Sequence, residues 1–79
     1  MIRPIQPILD RELEGVIAEG LARLPLAQRA ALELKSLGHS QVEIAEALRT
    51  TPGNAGLLVH RARQAMAGQL AFYLEEPSR

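Results

Sequence analysis

The sequence predicts an all-α domain of four helices, without winged elements, closing in a helix-turn-helix. Three observations carry this. Apolar residues recur at helical spacing through most of the chain. The residues between them (Ala, Leu, Glu, Gln and Arg above all) are good helix formers. Start and stop signals at Pro25, Gly38, Ser40, Thr51 and Pro52 divide the pattern into segments of helical length. With 79 residues there is room for one small domain, whose folding hides only about 60% of the unfolded surface.

The division runs as follows. Residues 1–7 hold two prolines and read as an irregular lead-in, and residues 8–76 as a single domain. The first helix is expected over about Leu9–Arg23, with Asp10 as N-cap and Glu12 and Glu14 at the positive end of the dipole. Its apolar stripe is Leu13, Val16, Ile17, Leu21 and Leu24. Pro25 stops it and opens a second helix to about Leu37, with Leu26, Ala30, Leu34 and Leu37 on one face. Gly38 supplies a left-handed stop. Ser40-Gln41-Val42-Glu43 has the spacing of a capping box and starts a short third helix, Gln41–Leu48, burying Ile44, Ala45 and Leu48. A tight turn at Arg49-Thr50-Thr51 follows. Thr51 caps the fourth helix, Pro52 takes its first position, and the helix runs to about Leu74. Ala55, Val59, Ala62, Met66 and Leu70 form its buried stripe, and Phe72 and Tyr73 are expected to complete the core. Pro77-Ser78-Arg79 reads as frayed.

Composition removes several function classes. There is no cysteine, so disulfide scaffolds, Cys-ligated zinc and thiol enzymes are excluded. No apolar run approaches the roughly 18 residues of a membrane span, and residues 1–6 lead into no signal-peptide core; a cytoplasmic location is expected, with no membrane partner. His39 and His60 stand far apart without a carboxylate cluster, so neither a metal nor another cofactor is expected. No acid/base pair or nucleophile set is present, which argues against an enzyme and against a small-molecule substrate. The net charge is +0; a nucleic-acid binder usually has a basic surplus, but placement of charge outweighs its sum.

The last two helices carry the function. A short helix, a three-residue turn and a longer helix make a helix-turn-helix, and a helix about 10–12 Å across fits a major groove about 12 Å wide. In such a pair the first helix crosses the backbone and the second enters the groove.

Leu24-Pro25, Gln28-Arg29, Leu32-Glu33-Leu34, Gly38-His39-Ser40, Glu43-Ile44-Ala45-Glu46 with Leu48, Gly53 and His60-Arg61-Ala62-Arg63 together resemble region 4 of bacterial sigma factors, most closely the extracytoplasmic-function group. The resemblance covers about Leu13 to Leu70. Part of the string is shared with LuxR-type response-regulator domains, but the Leu-Pro opening and the His-Arg-Ala-Arg ending lean to sigma factors. The resemblance implies a transcription factor domain that reads the −35 promoter element, packs on the β subunit of core RNA polymerase and is a target of anti-sigma factors. It implies no catalysis. If Met1 is a native start, the other polymerase-docking and promoter-melting domains of a sigma factor are missing; if the chain is an excised domain, the usual role stands open.

The resemblance thins at the recognition helix. Where the family usually has Gly-Thr-Val-Lys-Ser-Arg-Leu, this chain has Gly53-Asn54-Ala55-Gly56-Leu57-Leu58-Val59. Three polar groups are replaced by Gly56, Leu57 and Leu58. The family's Gly-Ile turn is here Arg49-Thr50, which puts a side chain at a left-handed position and leaves a hydroxyl in need of a partner. Three roles follow. DNA binding would rest on Gln41, Thr51, Asn54, Leu57, His60, Arg61 and Arg63, with amides suited to adenine and arginines to guanine or phosphate. Alternatively, Leu57 and Leu58 nucleate a protein contact, with an anti-sigma factor or polymerase as partner. In the third role the domain is an inert or regulatory fragment. Solvated charge or pairing with Glu43 or Glu46 is the plainer expectation for Arg61 and Arg63, and Ser40 and Glu43 are read as caps.

Overall fold

In the computed structural model of the protein, the backbone is described from residue 5 to 75 and the side chains from residue 11 to 72. Four helices follow one another, α1 (Ile5–Arg23), α2 (Leu26–Ser36), α3 (Gln41–Leu48) and α4 (Pro52–Glu75), with no strand among the described residues. The all-α expectation and the order of its elements are met. α4 is the spine, packing against each of the other three helices.

The boundaries follow from local chemistry. α1 begins at Ile5, four residues before the expected start, so Asp10 lies inside the helix and Glu12 and Glu14 fall beyond its first turn. Pro7 does not break it, because the first N–H groups of a helix have no intrahelical partner to lose. Residues 5–7 of the expected lead-in are therefore helical; residues 1–4 and the frayed end expected at 77–79 lie outside the described residues. α2 ends at Gly38 (φ +97°) in a Schellman motif, with Gly38 N–H donating to Lys35 C=O and His39 N–H to Leu34 C=O.

α3 opens with the expected capping box. Glu43 N–H donates to Ser40 Oγ at 3.1 Å, and Ser40 N–H donates to Glu43 Oε1 at 2.9 Å. α3 closes through Arg49, which takes the left-handed conformation at φ 59° without being glycine. Its geometry is held by Thr50 N–H donating to Ala45 C=O at 2.9 Å. The Thr50 hydroxyl finds its partner in Asn54 Nδ2, 2.9 Å away. Thr51 Oγ1 accepts from Asn54 N–H at 3.1 Å, and Pro52 stands first in α4, as expected.

Two clusters of buried residues form the core. Ala31, Ile44, Ala45, Ala55 and Val59 join α2, α3 and α4, flanked by Leu32, Leu34, Leu48 and Leu58. Leu24, Ala62 and Met66 join α4 to the end of α1, flanked by Ile17, Leu21 and Leu32. The stripes expected on α3 and α4 are the ones buried. On α2 the expected face is met only in part: Leu34 packs on the core and Ala30 is half-buried, but Leu26 is 81% exposed and Leu37 75%, while Ala31 is fully buried. Small residues make this contact (Ala31, Ala55 and Ala62 all have no exposed surface), and they let the backbones approach closely. Leu26 is the first residue of α2 and Leu37 its C-cap. Leu13 is likewise exposed, and so is Phe72, against the expectation that it completes the core; the Tyr73 side chain lies outside the described residues.

Candidate nucleic-acid interface

The α3–α4 pair is built as a rigid corner. Both helices start in satisfied caps, and residues 49–51 between them are pinned by two hydroxyls, those of Thr50 and Thr51, each bonded to Asn54. Gln41 adds a strut across the corner, its Nε2 donating to Pro52 C=O at 2.6 Å. The strut has room because Gly56 carries no side chain: a Cβ there would stand 2.9 Å from Gln41 Nε2.

This accounting changes what the sequence candidates can do. Thr51 is a cap. Asn54 and Gln41 each spend one amide hydrogen inside the corner, leaving a second N–H and the carbonyl oxygen to face a ligand. Leu58 is half-buried, packing against the α2–α3–α4 cluster, so of the expected Leu57–Leu58 pair Leu57, 42% exposed, is the more accessible. His60, Arg61 and Arg63 are exposed on α4. Neither arginine pairs with Glu43 or Glu46 among the described residues; Glu43 instead meets His39 Nδ1 at 3.3 Å. The Glu43 carboxyl is held below its ordinary value of 4.5, first by the Ser40 backbone N–H and then by His39.

The candidates divide into two adjoining faces. Leu57 and Arg61 lie one turn apart on the outer side of α4, the side opposite Ala55, Val59 and Ala62. His60 and Arg63 turn toward α2, where they line a hollow of about 150 Å³ with Lys35, Gln41, Gly56 and Val59. Sequence reasoning missed Lys35. Its signal was a cation in the last turn of α2, a helix that packs directly on α4. Among the described residues no group of three or more His, Asp or Glu side chains could hold a metal ion, and no helix is long and apolar enough to cross a membrane.

A second hollow, about 460 Å³, lies between α1 and α4 and is lined by Val16, Ala65, Gly68 and Phe72 among others. Gly20 is buried where the two helices meet, at the contact with Met66. None of the α3–α4 candidates lines this groove.

Comparison with known proteins gives one finding. The family model described as sigma-70, region 4, matches residues 15–66, more than half of the chain. The matched stretch holds the whole corner, both core clusters and the hollow beside Lys35. No curated protein and no solved structure gives a significant match.

Proposed function

The chain belongs to the sigma-70 region 4 family, and from that membership we propose that it recognises −35-type promoter DNA through α4 while contacting core RNA polymerase through another face. Region 4 gives it a sigma-factor-like role in transcription, in a family of non-enzymatic DNA-binding regulators. The observation that carries DNA recognition is the exposed outer face of α4, where Leu57 and Arg61 stand clear of the core, with His60 exposed beside them, on a helix braced at its N-terminus. Seated in a major groove, Arg61 offers its fork of donors to guanine O6 and N7, and Leu57 offers methyl contact to thymine. The remaining amide groups of Gln41 and Asn54 supply shorter-range contacts at the groove edge. Thr51 acts by fixing Asn54 and so sets the angle at which α4 enters. A cytoplasmic location follows from work beside the polymerase.

The α1–α4 groove is the better place for polymerase. It is apolar around Val16, Ala65 and Phe72, and it lies apart from the candidates on α3 and α4. A second role has one observation in its favour: Leu57 is an exposed apolar residue at a position where the family has a polar one, which suits a protein partner such as an anti-sigma factor. Packing of Leu58 against the core leaves it half-buried and narrows that surface.

Fluorescence anisotropy of a labelled duplex selected from a random pool separates the two. Arg61→Ala is expected to weaken binding by about 1–3 kcal/mol, roughly 5- to 150-fold. Leu57→Glu places a like charge against phosphate and is expected to weaken it further. Failure of selection to enrich any sequence, with both variants indistinguishable from the parent, would overturn DNA recognition in favour of the protein partner.

A further inference from the structure

The hollow beside α4 has a composition that points to one ligand chemistry. Three cations or hydrogen-bond donors converge on it from different elements: Lys35 from the last turn of α2, and His60 and Arg63 from successive turns of α4. No carboxylate lines it. None of the three has an ion-pair partner among the described residues, whereas Arg29 pairs with Glu33 and His39 with Glu43. Val59, 6% exposed, closes the back wall. Gly56 carries no side chain, and Gln41 lies over it, tied to Pro52, with one amide hydrogen left to donate. The volume of about 150 Å³ equals about five waters at roughly 30 Å³ each, which is enough for a tetrahedral oxyanion.

We propose that Lys35, His60 and Arg63, with Gln41, form a seat for a single phosphate group, filled by a backbone phosphodiester of the duplex that α4 reads. The identification of the phosphate as DNA backbone rests on the promoter-binding role; the seat itself rests on its lining. Its function is to fix register. Arg61 and Leu57 face the bases, and a phosphate held between α2 and α4 sets how far α4 advances into the groove. It also lets a chain of zero net charge hold a polyanion, because the cations are gathered at one point.

The test is the salt dependence of duplex binding by Lys35→Gln, Arg63→Gln and, as a control remote from the hollow, Arg23→Gln. A parallel titration with inorganic phosphate is followed by NMR. All three positions are exposed, and far-UV circular dichroism checks the fold. Each of Lys35→Gln and Arg63→Gln is expected to lower the magnitude of the slope of log K against log[KCl] by about 0.9, equally for every duplex sequence, with Arg23→Gln unchanged. Duplex binding with unaltered slopes in both variants would overturn the seat and leave DNA recognition standing. No duplex binding, with phosphate shifting the amides of Gly56 and His60, would keep the seat but make its ligand a free phosphate and overturn promoter binding. No response to either ligand would overturn both.

Discussion

Ile44→Ala tests the packing from which the site is built. Ile44 is 1% exposed and is the largest fully buried side chain. It stands where α3 meets Ala31 of α2 and Ala55 and Val59 of α4. The substitution removes three carbons, about 2.5 kcal/mol of transfer free energy at roughly 0.8 kcal/mol per methylene. A cavity term adds to this, because the backbones of α2, α3 and α4 cannot collapse onto the gap, so about 3–4 kcal/mol is expected within the range of roughly 2–5 kcal/mol for such truncations. A domain of 79 residues has a total stability of about 4–12 kcal/mol. The variant therefore loses a large share of its stability and melts about 12–30 °C lower. Leu26→Ala is the matched control. Leu26 is 81% exposed, so its truncation is expected to stay within about 0.5 kcal/mol. Urea unfolding followed by circular dichroism gives both values, with a common slope as evidence of an unchanged two-state transition. A loss below about 1 kcal/mol for Ile44→Ala, or an equal loss for Leu26→Ala, would refute the packing and restore the face of α2 expected from its leucines.

Four further outcomes follow from the corner. Ser40→Ala removes the hydroxyl of the capping box and is expected to cost about 1 kcal/mol in urea unfolding; no change would mean that the cap does not hold α3. Glu43 has its carboxyl lowered from 4.5 by the Ser40 N–H and by His39. The folded state thus favours the ionised form, and the stability this gives is complete above pH 4.5 and lost as pH falls through the lowered folded value. Melting temperature should therefore drop more steeply on that acid side in the parent than in Glu43→Gln, and parallel curves would contradict it. Arg49→Gly relieves a left-handed non-glycine residue worth about 1–2 kcal/mol, against roughly 0.5–1 kcal/mol of added unfolded-chain entropy. The variant should match or exceed the parent in stability, and a clear loss would show that the Arg49 side chain contributes to the turn. Gly56→Ala gains about 1 kcal/mol of helix propensity and loses an exposed hydrogen bond of about 0.5–1.5 kcal/mol when Gln41 is displaced. Stability should stay nearly level while the Gln41 side-chain amide resonances move, and unmoved resonances would show that Gln41 does not cover Gly56.

Where local chemistry decides the structure, the sequence was legible. Ser40 with Glu43, Gly38 before His39, and Thr51 before Pro52 each meet a backbone requirement within a few residues, and each stands where it was expected. The stripes of α3 and α4 were also legible, because these helices bury one face along most of their length. The face of α2 was legible only in part, through Leu34 and Ala30. Large apolar residues were expected inside, yet a close helix crossing is made by Ala31, and a side chain of that size sends little signal along the sequence. Phe72 was misplaced because the reach of α4 beyond its neighbours depends on tertiary geometry. At the candidate interface, the sequence nominated the residues of α4 but not Lys35, which meets them through the packing of α2 on α4. It also could not show that Leu58 packs half-buried against the core, or that Gln41 and Asn54 each lend a hydrogen to the corner.

The most direct measurement is an amide NMR footprint of the isotope-labelled chain titrated with a selected duplex. Insertion of α4 into the major groove predicts the largest shifts at Leu57, His60 and Arg61, smaller ones at Gln41 and Lys35, and none at Val16 or Phe72 in the α1–α4 groove. Shifts confined to Val16, Phe72 and their neighbours, or none at any duplex concentration, would contradict the placement of DNA on α4.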